Sequence, residues 1–145
     1  MLQVKFKKLS SSSKLPVKGS LEAACWDVYA NNITFQNNKM VIGLGFSTEI
    51  PVGYKAVVVP RSNLVKHNWV LNNSVGIIDS DYRGEWKVFL TPLEGKLIDN
   101  ALPYGVGDRC AQIYFEKVLD IEFIEVEEVN ETDRGAGGFG SSGIK

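Results

Sequence analysis

The chain has 145 residues and a formal net charge of −1, with 16 Lys and Arg against 17 Asp and Glu. That length suits one domain with a real core, and the charge balance leaves no cationic excess for a nucleic-acid polymer or an anionic membrane, so any nucleotide bound here is small and held by local groups. A charged-then-apolar leader and a long apolar run are both missing, and Cys25, Cys110 and the single His67 are scattered; this points to a soluble cytoplasmic protein without a zinc site or a Cys-His or Ser-His-Asp nucleophile, in which chemistry would fall to a carboxylate and water.

In chain order, Leu2, Val4 and Phe6 alternate with Gln3, Lys5 and Lys7, the period of a half-buried strand. A polar connector runs from Ser10 to Gly19. Small residues then lead into Trp26-Asp27-Val28-Tyr29, a strand whose acid, Asp27, read alone belongs on the wet face of an edge strand. Met40–Ile42, Phe46–Ile50 and Tyr54–Val59 read as further strands, separated by Gly43, Gly45 and the Pro51-Val52-Gly53 turn. Short strands at this spacing predict an all-β sandwich or barrel.

Pro60-Arg61 precedes the one candidate helix, Ser62 to His67, with Ser62 at the N-cap position. Arg61, Ser62 and the unpaired amides of a helix start could together hold a phosphate. Next, Gly76-Ile77-Ile78-Asp79-Ser80-Asp81-Tyr82-Arg83-Gly84-Glu85 packs two carboxylates and an aromatic ring between apolar Val75–Ile78 and apolar Trp86–Leu90. The pattern predicts a hairpin with these polar groups at its tip, Arg83 beside the acids as a charge partner. Thr91–Gly95 and Pro103–Asp108 read as turns, and Arg109–Phe115 and Ile121–Val126 as strands. Residues 130–145 form a glycine-rich tail. Its amides can converge on an anion, Arg134 adds fixed charge, and Phe139 can cover a flat heterocycle. Such a segment has too little apolar surface to fold alone and would order over bound ligand.

Taken together, five stretches resemble, in order, the motifs of the trimeric all-β dUTPases, the deoxyuridine triphosphate nucleotidohydrolases. They are Ala24-Cys25-Trp26-Asp27-Val28, Pro60-Arg61-Ser62-Asn63-Leu64, Gly76 to Glu85, Gly107-Asp108-Arg109-Cys110-Ala111-Gln112, and Arg134 to Gly143. Cys25 stands where the family usually has Gly, and Asn63 where it often has Gly or Ser; Cys25 implies a backbone with no need of positive φ.

The resemblance implies a jelly-roll-like core over residues 1–129 with one short helix, a C-terminal arm over 130–145, and a homotrimer with sites at subunit boundaries. It implies that Asp79 is the base for in-line attack of water on the α-phosphorus of dUTP, giving dUMP and pyrophosphate, and that Mg²⁺ is held by phosphate oxygens and by waters on Asp27. The implied substrate-binding set is Arg61, Ser62, Asn63, Asn73, Gly76, Ile78, Tyr82, Gln112, Arg134, Phe139, Gly140 and Ser141. Within it Arg61, Ser62, Gln112 and Arg134 clamp phosphates, Asn73 meets uracil, Tyr82 meets deoxyribose and Phe139 covers the base. A dCTP deaminase, a bifunctional deaminase-dUTPase, or a nucleotide-sensing regulatory module on the same fold are the alternative readings.

Overall fold

A computed structural model describes residues 1–97 and 100–138. Among the described residues the strands are β1 (Lys5–Lys8), β2 (Val17–Lys18), β3 (Trp26–Tyr29), β4 (Asn32–Gln36), β5 (Lys39–Gly43), β6 (Phe46–Glu49), β7 (Tyr54–Val59), β8 (Trp69–Leu71), β9 (Gly76–Ile78), β10 (Lys87–Pro92) and β11 (Arg109–Lys117), and a short 3₁₀ helix spans Ser62–His67. They form three sheets, ordered β1-β6, β4-β5-β10-β8 and β2-β3-β11-β7-β9. This is the nearly all-β, jelly-roll-like class expected from the spacing of strands and turns.

The core lies between the sheets, where Val28, Ile42, Phe46, Val58, Trp86, Val88, Leu90 and Ile113 are almost wholly buried. Strand β10 alternates buried Val88, Leu90 and Pro92 with more exposed neighbours, as a sheet with one face on the core must. The β4–β5 hairpin turns on Asn37 and Asn38, both at positive φ (50° and 59°), the primed geometry that suits strand twist. Strand β4 escaped the sequence reading, although that Asn pair marks it. No helix among the described residues is long and apolar enough to cross a membrane.

Three expectations need correction. The strands flanking the Asp79 stretch are not two arms of one hairpin. Strand β9 pairs with β7, through Val58↔Gly76 and Ala56↔Ile78, whereas β10 pairs with β5 and β8. Residues 79–86 therefore cross from one sheet to the other and drop Trp86 into the core. Secondly, Ile121–Val126 forms no strand; Ile121, Phe123, Ile124 and Val126 are exposed, and the segment pairs with no strand among the described residues. Thirdly, Ser62 is the first residue of the helix and not its cap. Arg61 occupies that position in extended geometry without a capping side-chain hydrogen bond.

Candidate active site

Two polar groupings stand out. The first is built across a sheet: Gln112 on β11 lies opposite Asp27 on β3 and opposite Val59 on β7, so the Arg61 that follows β7 arrives beside Asp27. Asp27 Oδ1 accepts from Arg61 Nε at 2.9 Å and from Gln112 Nε2 at 3.2 Å, and Oδ2 accepts from Arg109 Nη1 at 3.0 Å. Arg61 also donates to the Arg109 carbonyl at 3.2 Å. The Asp27 side chain is 4% exposed while Arg61 and Arg109 are 24% and 46% exposed. A buried carboxylate thus fixes two guanidinium groups that keep donors towards solvent, an arrangement suited to a polyanion.

Asp27 is therefore not on a wet edge; it is flanked by β2 and β11. Arg109 was missed as a site residue, because its role depends on a bulge that the sequence does not mark. Residues 109 and 112 have opposite parity on a regular strand, so two polar groups sharing one partner require an irregularity. The register shift between Arg109 and Ala111 supplies it, a bulge that turns both side chains to Asp27.

The second grouping is the 79–86 loop. Asn73, Ile77, Ile78, Asp79, Tyr82, Glu85, Trp86, Lys87 and Phe89 line a cleft of about 280 Å³. Asp79 is exposed, and its carboxylate accepts no hydrogen bond among the described residues. Arg83 does not pair with either nearby acid. Its Nη1 donates to the carbonyls of Ser80 (2.7 Å), Tyr82 (3.2 Å) and Thr48 (3.5 Å), stapling the loop and leaving Asp79 open. Asn73 spends its amide on β10, Nδ2 donating to the Lys87 carbonyl at 3.2 Å and Oδ1 accepting from Phe89 N at 2.8 Å; one donor and one acceptor remain. Gly76 is buried rather than at the cleft wall, and a Cβ there would stand 3.1 Å from that of Val58, so its bareness lets β9 close on β7.

Of the other expected residues, Ser62 is exposed at the helix start, and Asn63 Oδ1 accepts from the buried Tyr104 hydroxyl at 3.0 Å. Burial pushes the Tyr104 phenol up to about 12, and so keeps it a donor. Cys110, at the bulge, is likewise pushed up to about 12 by burial, which removes it as a nucleophile. Cys25 adopts no positive φ, as a side chain in place of the family's usual Gly implies. Arg134 is exposed, and its Nε closes a local turn on the Gly137 carbonyl at 2.9 Å; the chain does not bring it to either grouping. Phe139, Gly140 and Ser141 lie outside the described residues.

The two groupings lie at opposite ends of β7. Strand β9 runs antiparallel to β7, so Asp79 continues towards Lys55, beside which it lines a second hollow, while Arg61 follows the far end at Val59. Six residues of extended chain separate those ends by about 20 Å. No three His, Cys, Asp or Glu side chains gather as a metal cage among the described residues. Asp27 Oδ1 already accepts two hydrogen bonds and Oδ2 one, so its carboxylate retains room for one water on Oδ2 and fits an outer-sphere role towards a cation better than direct ligation.

The dUTPase family model matches residues 11–143. Curated relatives named deoxyuridine 5'-triphosphate nucleotidohydrolase include one from Nautilia profundicola, 39% identical over 98% of this chain and 99% of the relative. Another, from Fowlpox virus, is 40% identical over the full length of both. Among solved structures, the Staphylococcus bacteriophage 80alpha dUTPase with dUPNHPP matches with a TM-score of 0.81 at 24% identity, covering 98% of this chain and 99% of that one. A dUTPase from phage phi11 of S. aureus, described with a structural Mg(II) ion, matches with a TM-score of 0.70 at 20% identity over 87% of this chain and 97% of that one.

Proposed function

The chain belongs to the dUTPase family, and from that premise we propose how it hydrolyses dUTP to dUMP and pyrophosphate. The uracil nucleoside enters the cleft of the 79–86 loop. Tyr82 packs on the deoxyribose and leaves no space for a 2′-hydroxyl; uracil meets main-chain groups, Ile78 and the residual donor and acceptor of Asn73 in a slot too tight for a 5-methyl group. Asp79 orients a water and takes its proton as the oxygen attacks the α-phosphorus in line. The bond from that phosphorus to the bridging oxygen breaks, and pyrophosphate leaves.

The observation that carries this reading is the contrast between the two acids: the cleft holds a carboxylate with no hydrogen-bond partner among the described residues, whereas Asp27 already accepts three hydrogen bonds. A base needs the first condition. Gly76 acts indirectly, by letting β9, which leads into Asp79, close on β7. Mg²⁺ bound to the triphosphate, with a water on Asp27 Oδ2, would neutralise the charge of the departing pyrophosphate.

Arg61, Ser62 and Gln112, joined by Arg109, form the phosphate clamp, with Asn63 holding the start of the helix against Tyr104. Because about 20 Å of β7 separates that clamp from Asp79, a single nucleotide cannot use both from one chain. A homotrimer resolves this: one copy supplies the nucleoside cleft, a second the clamp, and an arm over residues 130–145 brings Arg134, Phe139, Gly140 and Ser141 across the β core of residues 1–129. The cellular role that follows is cytoplasmic removal of dUTP, which keeps uracil out of DNA and supplies dUMP for dTMP synthesis.

The deciding assay follows pyrophosphate and ammonia from dUTP, dCTP, dTTP and UTP, each with and without Mg²⁺. Pyrophosphate from dUTP alone is expected. Ammonia from dCTP would move the chain to the deaminase reading, and binding of dUTP without turnover would move it to the regulatory one.

A further inference from the structure

Glu85 is absent from the expected site, yet its side chain reaches from the cleft wall to strands outside it and its backbone holds the ring that lines the cleft. Its Oε1 accepts from the Gly45 amide at 2.9 Å and from Asn32 Nδ2 at 3.3 Å, while its own carbonyl accepts from the Tyr82 hydroxyl at 3.2 Å. One residue thus ties the ring in the cleft to the β5–β6 turn and to β4. The next residue continues the seam, with Leu44 N donating to the Trp86 carbonyl at 3.0 Å and Trp86 N to the Phe46 carbonyl at 3.2 Å.

Two glycines make room for this. A Cβ on Gly84 would fall on the Tyr82 phenol, so the ring lies directly over a bare backbone position. A Cβ on Gly43 would stand 2.5 Å from Asn32 Nδ2 and 2.6 Å from Glu85 Oε1, inside the latch itself. Gly45, the turn residue whose amide is used, has φ of 73°, a conformation open to glycine at little cost. The acid, its donors and the absent side chains therefore converge on the position of one aromatic ring.

We propose that Glu85 is a positioning residue for sugar discrimination: by holding the 82–85 turn against Gly45 and Asn32 it sets the distance of the Tyr82 ring from the 2′ carbon of the bound nucleotide. This rests on Tyr82 meeting the deoxyribose as in the proposed function. Only Oε1 is used, and only as an acceptor, so the amide oxygen of a glutamine can replace it; the negative charge is not what matters.

The test measures kcat/KM for dUTP and UTP, equilibrium binding of both nucleotides, and the melting midpoint, in the wild type, Glu85→Gln and Glu85→Ala. Glu85→Ala should lower the dUTP-to-UTP ratio by about tenfold, the scale of one lost hydrogen bond that fixes geometry, and Glu85→Gln should keep it within about threefold. Asn32→Ala, at an exposed position, should shift the ratio in the same direction by less, and it serves if Glu85→Ala fails to fold. An unchanged ratio in Glu85→Ala overturns the proposal, as does a proportional fall for both nucleotides alongside the melting midpoint, or a Glu85→Gln variant as impaired as the alanine. If the wild type binds dUTP over UTP without hydrolysing it, the functional reading fails while the binding ratios still judge the latch. If it binds neither, both fall.

Discussion

The two carboxylates nearest to the proposed chemistry have opposite surroundings. Asp27 lies in the sheet with three donors on it, and those bonds orient the Arg61 and Arg109 guanidinium groups. Asp79 sits on a loop that crosses between sheets, exposed, while the neighbouring Arg83 gives its donors to backbone carbonyls. A sheet is a good place to build a charged clamp, because registered strands fix distances between residues far apart in sequence. A crossover loop stapled by its own carbonyls is a good place to present a base, because it can be rigid without neutralising the acid.

The largest effect expected from this contrast is on turnover. Asp79→Asn should lower kcat for dUTP by at least about a hundredfold, the lower bound for losing a general base. Dissociation of dUTP and the melting midpoint should hardly change, since the side chain is exposed and carries no partner among the described residues. Calorimetric binding with single-turnover kinetics separates these quantities. Near wild-type turnover would remove Asp79 from the chemistry and erase the contrast.

The distance along β7 gives the next effect. Mixing inactive Asp79→Asn with inactive Arg61→Ala and allowing subunits to exchange should restore activity, because some sites then draw an intact Asp79 from one copy and an intact Arg61 from another. Random assembly predicts recovery of about a quarter of wild-type sites. No recovery, despite exchange shown by mass spectrometry, would place both residues at one site within one chain.

For Asp27 the contrast predicts a loss of stability. Asp27→Asn leaves two guanidinium groups facing each other without their anion and should cost about 2 to 3 kcal/mol in chemical denaturation, below the full penalty for breaking a buried pair because Arg61 and Arg109 reach solvent. An Asp27→Asn protein as stable as the wild type would show that the cluster is not the anchor described here.

How much of this could be read in the chain follows from which interactions are local. The strands around Met40–Ile42 and Tyr54–Val59 were legible because alternation and turn residues are short-range signals; residue types pointed to Arg61 and Asp79, and the family resemblance added Asp27 and Gln112. The pairing of β9 with β7 was not legible, since Gly76–Ile78 matches either neighbour in composition and the choice is made by partners about twenty residues away. Nor was the exposure of Ile121–Val126, whose alternation is that of a strand with no edge to join within the described chain. Arg109 and Glu85 were hidden for a similar reason: one needs a bulge and the other a long-range latch to acquire a role.

Per pH unit the smallest expected effect is alkaline, and it belongs to the clamp region. Burial raises the Cys110 thiol from 9.0 to about 12, and Tyr104, bonded to Asn63, from 10.0 to about 12. Between those values the unfolded chain gives up its protons before the folded one does, so stability is intact below about pH 9 and falls as pH rises towards 12. For Cys110 the slope is at most about 1.4 kcal/mol per pH unit. Cys110→Ala should flatten the decline in urea midpoint over that window relative to the wild type, whereas Asp79→Asn, on the exposed loop, should leave the decline as steep as before. An equal slope in all three proteins would mean that the thiol under the Arg109 bulge is not held in its neutral form by the fold.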